Sequence, residues 1–302
     1  MKRVLALIAA AAAFTSSPVL AQRDFSKVEI QATRITDTLY AMTGSGGNLG
    51  VCVGEDFVFV IDDQYAPLSE KIAAAIGKVS PKPVRFIVNT HWHGDHTGGN
   101  ESFARGGAII VAHENVRKRM GSEQFLEVLG GKVPPSPPAA LPVVTFTGGV
   151  SFHMNGEEIR VIHVPNAHTD GDAIVHFLGS DVIHMGDVYW NGLYPFIDYG
   201  SGGSVEGTIA AVDRILGIAT DRTKIIAGHG SPVSGKAQLK AYRDMLATIS
   251  TRVRELVRQG RKLEEIVAAN VSAEYDDSWG KTFLKGPKFV EMLAKPMIQR
   301  GS

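Results

Sequence analysis

The spacing of apolar residues along the chain predicts short strands alternating with amphipathic helices. Apolar or alternating runs of four to eight residues, bounded by glycine, asparagine or aspartate, are typical of strands. In the first half the predicted strands are DTLYAMTG, NLGVCVGE, DFVFVIDD, PVRFIVNT and AIIVAH. In APLSEKIAAAIGKV, Leu68, Ile72 and Ile76 recur at helical spacing, which predicts a helix with one buried face.

The second half repeats this pattern after the proline-rich stretch GGKVPPSPPAALP, which predicts an extended loop. One meander is predicted next, from VVTFTG, VSFHMNG, EIRVIHVP, AIVHFLG and DVIHMGD. The helix SVEGTIAAVDRILGI follows with Ser204 as its predicted N-cap, and then the strand KIIAGHG. From Lys236 the chain is mostly helical. Strands interleaved with helices predict a layered α/β body with helices on both outer faces.

The N-terminus has the pattern of a secretory signal peptide. The basic residues Lys2 and Arg3 precede an apolar run that ends at Phe14, and small residues lead up to Ala21. We therefore expect residues 1–21 to be removed by cleavage after Ala21. The mature protein is then predicted to be periplasmic or secreted, with no stable membrane insertion.

Length and composition predict one main domain, residues 22–235, with a helical extension, residues 236–302, packed on it. Without the two basic residues of the signal peptide, the chain has 29 basic and 31 acidic side chains. This near-neutral charge does not favour binding to nucleic acid or to an anionic membrane surface. Cys52 is the only cysteine, so no internal disulfide is possible, and its apolar surroundings indicate a core residue.

The stretch NTHWHGDHTGG places three histidines and an aspartate within six positions. In an extended loop, residues two apart point the same way, so His91 and His93 can bind one ion together. Gly94 permits a turn that directs Asp95 and His96 towards a second ion. Imidazole and carboxylate suit zinc, which has three protein ligands and a water in catalytic sites. The cluster therefore predicts two zinc ions, each lacking one ligand.

Three further metal-seeking residues each follow a predicted strand. His168 comes after RVIHV, Asp187 after DVIHM and His229 after KIIAG. Side chains at the ends of neighbouring strands can converge at one edge of a sheet. Four other histidines lie inside predicted strands and are interpreted as core or surface residues: His153, His163, His176 and His184.

Together these motifs resemble those of the metallo-β-lactamase superfamily. HWHGDH matches its His-x-His-x-Asp-His motif, and NAHTDGD, HMGDVY and AGHG follow in the expected order. The resemblance covers roughly Thr36 to Ser234. It implies an α/β fold, namely an αβ/βα four-layer sandwich of two mixed β-sheets flanked by helices, with the metals in a cleft at one edge. It also implies that Asp62 supports the metal site from behind the ligands.

The resemblance also implies a ligand for each position of a two-zinc site. The first zinc is expected on His91, His93 and His168, and the second on Asp95, His96 and His229. The best-known di-zinc β-lactamases have a cysteine where this chain has Asp187 and a lysine where it has Trp190. Glyoxalase-like hydrolases and lactonases have an aspartate that bridges the metals, which fits Asp187 better. A histidine at position 93 favours zinc, since oxygen-reducing di-iron relatives usually have glutamate there.

The implied activity is that of an exported zinc-dependent hydrolase, in which metal-activated hydroxide attacks a carbonyl and Asp95 orients it. Its substrate is expected to be a small molecule: a β-lactam, a lactone, another ester or a thioester. A non-catalytic metal-binding component of a periplasmic complex is the alternative of another class. Ligands for two ions argue against that alternative, because a structural zinc needs only four.

Five residues are predicted to line the substrate pocket. The stretch VYWNGLYPF follows Asp187 and contributes Tyr189, Trp190, Tyr194 and Phe196. These aromatic side chains form either an apolar wall over the metals or part of the core. Asn48 ends the turn GSGGN, which is either a loop that closes over a ligand or a plain turn.

Overall fold

Two β-sheets pack face to face in the computed structural model, which describes residues 24–127 and 130–301. Helices cover the outer sides of both sheets. The predicted four-layer αβ/βα sandwich is therefore confirmed. The predicted signal peptide, residues 1–21, lies outside the described residues.

The first sheet contains most strands of the first half of the chain. In chain order the strands up to residue 146 are β1 (Gln31–Arg34), β2 (Leu39–Thr43), β3 (Leu49–Cys52), β4 (Val58–Ile61), β5 (Val84–Val88), β6 (Ile109–His113), β7 (Gln124–Leu126), β8 (Gly131–Val133) and β9 (Val144–Phe146). The spatial order within the sheet is β1-β2-β3-β4-β5-β6-β9. Strands β7 and β8 form a separate antiparallel hairpin.

The second sheet is built from the later strands. These are β10 (Gly149–Met154), β11 (Glu157–His163), β12 (Ala173–Phe177), β13 (Val182–His184), β14 (Trp190–Asn191), β15 (Lys224–Ile226), β16 (His229–Gly230) and β17 (Val233–Ser234). Their order in the sheet is β10-β11-β12-β13-β15-β17, and β14 pairs with β16 in a short parallel ladder.

The helices are α1 (Ser69–Val79), α2 (Gly94–Thr97), α3 (Asn100–Arg105), α4 (Glu114–Met120), α5 (Val205–Ile218), α6 (Lys236–Arg258), α7 (Leu263–Ala268), α8 (Ala273–Trp279) and α9 (Gly286–Gly301). Helix α5 begins as predicted, because Ser204 Oγ accepts a hydrogen bond from the Gly207 N–H at 3.0 Å. Within residues 24–127 and 130–301, none of the helices has the length and apolar character needed to cross a membrane.

The predicted meander is wrong at its first strand. β9 pairs in parallel with β6 of the first sheet, with Val111 opposite Val144 and His113 opposite Phe146. Only β10 to β13 form the antiparallel meander. The two residues between β9 and β10 carry the chain from one sheet to the other. An apolar pattern identifies a strand but not its partner, so this crossing was not visible in the sequence.

Aromatic rings fill the space between the two sheets. Phe59 of β4 is fully buried, and its ring meets Phe152 at 5.1 Å and Phe177 at 6.2 Å, both edge to face. Cys52 is buried in the same cluster, as its apolar surroundings predicted. The packed rings fix the two sheets relative to each other. They therefore also fix the strand ends that lead to the candidate metal ligands.

The C-terminal helices pack on the outer face of the second sheet. Along β13, Val182 faces the layer between the sheets, whereas Ile183 faces the helices. Tyr242 of α6 and Phe289 of α9 are fully buried in that outer cluster. The helical extension therefore shares a core with the sheet that carries half of the candidate site.

Replacing Phe59 with alanine is expected to destabilise the fold by about 3–5 kcal/mol, because the cavity left between the sheets cannot close fully. Urea unfolding measures the effect. Phe57, two positions earlier and 41% exposed, provides the control. Phe57→Ala should change the free energy of unfolding by less than about 0.5 kcal/mol. Equal losses for both variants would contradict this account of the core.

Candidate metal centre

Three imidazole nitrogens converge at the edge of the sandwich. His93 Nδ1 lies 3.1 Å from His91 Nε2 and 3.0 Å from His168 Nε2. His91 and His93 belong to the loop between β5 and α2, and His168 belongs to the loop after β11. All three side chains are buried. The structure thus brings together the three residues predicted for the first zinc.

The opposite nitrogen of each ring is held by an oxygen atom. The contacts are His91 Nδ1 to Thr90 Oγ1 at 3.0 Å, His93 Nε2 to Asp198 Oδ2 at 3.0 Å, and His168 Nδ1 to the Phe196 carbonyl oxygen at 2.8 Å. The Thr90 hydroxyl donates to Asp62, so its oxygen accepts from His91. Each outer nitrogen is therefore the donor, and a neutral ring then has a lone pair on its inner nitrogen.

A cation fits this arrangement, because the inner nitrogens of the three rings converge on one point. Zinc bonds of about 2.0–2.1 Å at tetrahedral angles place nitrogen ligands roughly 3.3 Å apart, close to the spacing found here. Burial, together with the nearby His96, holds the pKa of His91 well below its usual range. Burial also lowers the pKa of His168 to about 4. Both rings therefore resist protonation and stay available to a metal.

A second set of donor atoms lies beside the first. His229 Nε2 is 3.3 Å from Asp95 Oδ2 and 3.4 Å from His96 Nε2. Although burial opposes the charge, the carboxylates of Asp187 and Asp95 raise the pKa of His229 to about 9. Without a metal this imidazole therefore holds a proton at neutral pH, which a bound cation would displace.

The carboxylate of Asp187 lies between the two sets. Its Oδ2 is 3.5 Å from His168 Nε2 and 3.3 Å from His229 Nε2, and its Oδ1 is 3.2 Å from His96 Nε2. Oδ1 is buried and has no aligned hydrogen bond within the described parts of the chain. A Cβ at Gly228 would lie 2.2 Å from this oxygen, so the close approach of the two strand ends requires glycine there. One carboxylate thus reaches both candidate metal positions.

Asp62 has the supporting position that the family resemblance implied. Its carboxylate accepts hydrogen bonds from the Thr90 N–H, the Thr90 hydroxyl and His96 Nδ1, each at 2.7 Å. Its backbone has a φ of 59°, a left-handed conformation that is costly for a residue with a side chain. Such strain is concentrated at functional sites, where the surrounding contacts hold it in place.

Asp198 is a functional residue that the sequence did not indicate. It is buried, accepts from His93 as described above, and also accepts from the Ser201 N–H at 3.0 Å. Burial opposes its charge, but His93 lowers its pKa, so it stays ionised. It lies 105 positions from His93, and no motif or spacing connects the two residues.

Two of the predicted pocket residues, Tyr189 and Tyr194, do not line a pocket. Both are fully buried between the second sheet and the C-terminal helices. The Tyr189 ring packs against Tyr242 at 5.1 Å, and the Tyr194 ring stacks on Phe289 at 4.6 Å. The prediction failed because following Asp187 in sequence does not determine the direction of a side chain. These two rings are part of the core.

The other three predicted pocket residues adjoin the ligands. The Trp190 ring lies 4.2 Å from that of His229, and the Phe196 ring lies 5.9 Å from that of His168. Asn48 is buried, and its amide donates to the Ala227 carbonyl at 2.8 Å. Asn48 therefore holds the residues that lead into β16, which begins at His229 two positions further on.

Two neighbouring clusters of side chains that could each hold a metal ion, linked by one carboxylate, lie at the edge of the αβ/βα sandwich. The comparison of sequences agrees, since the family model described as Metallo-beta-lactamase superfamily matches residues 43–229. The chain belongs to the metallo-beta-lactamase superfamily.

Curated relatives match the chain in part. A hydroxyacylglutathione hydrolase of Gloeobacter violaceus is 28% identical over 174 residues, which are 54% of this chain and 58% of that enzyme. An atrochrysone carboxyl ACP thioesterase of Aspergillus terreus is 21% identical over 253 residues, 83% of this chain and 66% of the relative. The chain thus spans about three fifths of the length of the first relative.

A solved structure of a stereoselective inverting sec-alkylsulfatase from Pseudomonas sp. superposes with a TM-score of 0.64 at 19% identity. The superposition covers 88% of this chain and 50% of the sulfatase. At this level of identity the similarity shows a shared fold. Residues 1–235 are less than four fifths of the chain, so the superposition includes part of the C-terminal helices.

Asp198→Asn is expected to weaken zinc binding at the first site by about 10- to 100-fold, the usual effect of losing a hydrogen-bond partner behind a metal ligand. An amide accepts less strongly from His93 and can present an N–H instead. Titration of zinc against a competing chelator measures the change. In the control Asp213→Asn, an exposed carboxylate bonded to Arg243, affinity should not change. Equal zinc affinity in Asp198→Asn and wild type would contradict this role.

Proposed function

We propose that the chain is a di-zinc hydrolase that cleaves a small ester or thioester. The observation that carries this proposal is the position of Asp187, whose carboxylate contacts His168 of one cluster and both His96 and His229 of the other. An aspartate with two oxygens can hold two cations at once. A purely structural zinc would need neither the second cluster nor the shared carboxylate.

Each cluster has a defined role in this proposal. When bound, two zinc ions supply activation of water near neutral pH and polarisation of a carbonyl group. The first would be held by His91, His93 and His168, the second by Asp95, His96 and His229, and both by Asp187. In the overall reaction the oxygen of water bonds to the acyl carbon, the bond to the leaving oxygen or sulfur breaks, and the leaving group takes a proton.

The exposed fractions of the candidate ligands indicate the side from which a substrate can reach the two clusters. Asp95 and His229 are 20% and 18% exposed, whereas the remaining ligands are 7% exposed or less. Substrate therefore approaches from the side of Asp95 and His229. The Asp95 carboxylate stays ionised, because His96 and His229 lower its pKa against the effect of burial. In this state it can accept a hydrogen bond from the attacking water and orient it.

An ester or thioester is favoured over a β-lactam on two grounds. The chain has Asp187 and Trp190 where the best-known β-lactamases have cysteine and lysine, so a cation for a substrate carboxylate is absent at position 190. Two curated relatives are, by name, a hydrolase of hydroxyacylglutathione and a thioesterase. Both names describe the release of an acyl group, which is the reaction proposed here.

A panel of an aryl ester, an acyl thioester, a lactone and a β-lactam tests the proposal with zinc-loaded protein. We expect the highest kcat/KM on the ester or the thioester. Asp187→Asn should reduce it by about 10²-fold or more, the scale associated with losing one stabilising group in a catalytic site. His176→Asn, a change in β12 away from both clusters, is the matched control.

Two results would refute this assignment. One is a preference for the β-lactam over every other member of the panel. The other is wild-type turnover by Asp187→Asn with two zinc ions still bound. Elemental analysis of the same samples gives the metal count, so a loss of rate can be separated from a loss of zinc.

We also propose that the protein is exported and begins at Gln22 after cleavage. The support is the basic, apolar and small-residue pattern of residues 1–21. Expression of the full chain in a Gram-negative host should yield periplasmic protein, with Gln22 as the N-terminus by mass spectrometry. A Leu7→Arg change, which interrupts the apolar run, should retain the protein in the cytoplasm. Periplasmic protein that retains Met1 would contradict cleavage.

A further inference from the structure

His184, at the end of β13, is a buried imidazole that belongs to neither metal cluster. Its Nε2 lies 3.0 Å from the carbonyl oxygen of Asn48, and its Nδ1 lies 3.2 Å from the backbone nitrogen of Gly186. A carbonyl oxygen can only accept and a backbone N–H can only donate, so Nε2 carries the proton and Nδ1 the lone pair. Burial lowers the pKa of His184, which keeps the ring in this neutral form.

These two hydrogen bonds belong to a closed cycle. His184 Nε2 donates to the Asn48 carbonyl, and the Asn48 N–H donates to the Gly228 carbonyl at 2.7 Å. The Gly228 N–H donates to the Gly186 carbonyl at 2.9 Å and is shared with the Tyr189 carbonyl at 3.0 Å. The Gly186 N–H then donates to His184 Nδ1, which closes the cycle. Because every member donates to the next in the same direction, the bonds polarise and strengthen one another.

Two members of the cycle directly precede candidate ligands of the second metal. Gly186 comes before Asp187, and Gly228 comes before His229. Gly186 has a φ of 50°, and a Cβ there would lie 2.7 Å from the Thr90 side chain. Both backbone positions are therefore closely defined, and a shift of either one would move the ligand attached to it.

A third member, Asn48, belongs to the turn between β2 and β3 of the first sheet. In this turn the Gly47 N–H donates to the Asp95 carbonyl at 3.1 Å, and a Cβ at Gly47 would lie 2.1 Å from His96 Cε1. The turn therefore packs directly against the second cluster. Because His184 belongs to the second sheet, its bond from Nε2 ties this turn across to that sheet.

The first cluster does not depend on the cycle in the same way. Its three histidines are held from outside by Thr90, Asp198 and the Phe196 carbonyl, none of which is a member. Without the imidazole of His184, a buried carbonyl and a buried N–H would lose the partners they have here. Such groups are costly to leave unpaired, so the three segments would shift to recover partners. That shift would affect the second cluster more than the first.

We propose that His184 positions the second metal cluster by closing this cycle, and that affinity for the second zinc ion depends on its bond to Asn48. His184 is neither a ligand nor a proton carrier in this role. It acts through the backbone of the segments that bear the ligands. The inference rests on the two-zinc site of the proposed function and not on the nature of the substrate.

Two substitutions separate the two bonds of the ring. His184→Gln places an amide N–H near the position of Nε2, so the bond to Asn48 can form. His184→Asn offers an oxygen to the Gly186 N–H but is too short to reach Asn48. The asparagine variant should bind the second zinc at least about tenfold more weakly, whereas the glutamine variant should stay within about threefold of wild type. Titration of the metal-free mature protein against a competing chelator measures both binding steps, and the first step should not change.

His113 provides a matched control, because its ring is paired in the same way at the end of β6. It is buried, its Nδ1 accepts from the Asn115 N–H, and its Nε2 donates to the Thr147 carbonyl at 2.9 Å. His113→Asn should reduce the free energy of unfolding as His184→Asn does, yet leave the affinity for the second zinc at the wild-type value. Equal losses of second-site affinity in the two variants would overturn the proposal.

Amide hydrogen exchange gives a readout that needs neither zinc nor substrate. In metal-free protein, the N–H groups of Asn48 and Gly186 should exchange at least about tenfold faster in His184→Asn than in wild type. They should exchange at the wild-type rate in His113→Asn. His184→Phe keeps a ring in the core and removes both bonds, so it gives a second result if the asparagine variant folds poorly.

The outcomes separate this inference from the proposed function. If wild type binds two zinc ions but hydrolyses no ester or thioester, the proposed function is refuted, while selective loss of the second zinc in His184→Asn still supports the positioning role. If wild type binds two zinc ions and His184→Asn binds both with wild-type affinity, the positioning role alone is overturned. A single zinc ion in wild type would refute both.

Discussion

The metal centre depends on hydrogen bonds that fix which nitrogen of each buried imidazole carries the proton. Thr90, Asp198 and the Phe196 carbonyl each accept from an outer nitrogen, so the inner lone pairs face one another about 3 Å apart. With all three rings neutral, a cation placed between these nitrogens would be bound by each of the lone pairs. The two sheets and their aromatic core hold the loops in place, so the binding energy of a metal is not spent on folding them.

The residues that the structure brings together could be located from the sequence, because their signal is local or tied to strand ends. The six positions of HWHGDH contain four of them, and His168, Asp187 and His229 each follow an apolar run. Asp198 had no such signal, since it reaches His93 only through the three-dimensional path of its loop. Tyr189 and Tyr194 were misassigned for a related reason, because the direction of a side chain after a strand depends on packing against helices more than 40 residues further along the chain.

The pairing of the strands was also only partly predictable from the sequence. Apolar alternation located nearly every strand of the two sheets, but it placed β9 in the second sheet. Pairing is decided by which edge has free backbone groups, and β6 offers such an edge to β9. For the outer faces of the sheets, the sequence predicted that helices cover them but not which side chains pack together there. Helical spacing after Lys236 predicted a helical extension. That this extension shares a core with β13 is seen only in the structure, where Ile183 faces the helices.

This division between strands and helices bears on how substrate choice can vary in such a chain. The positions of the candidate ligands constrain the strand ends. At Gly228, for example, even a methyl group would collide with Asp187. The connection from α8 to α9 has no such constraint. It forms neither helix nor strand, yet its consecutive residues Phe283 and Leu284 contact surfaces beside both clusters. Changes there can alter the surface beside the two clusters without displacing a candidate metal ligand.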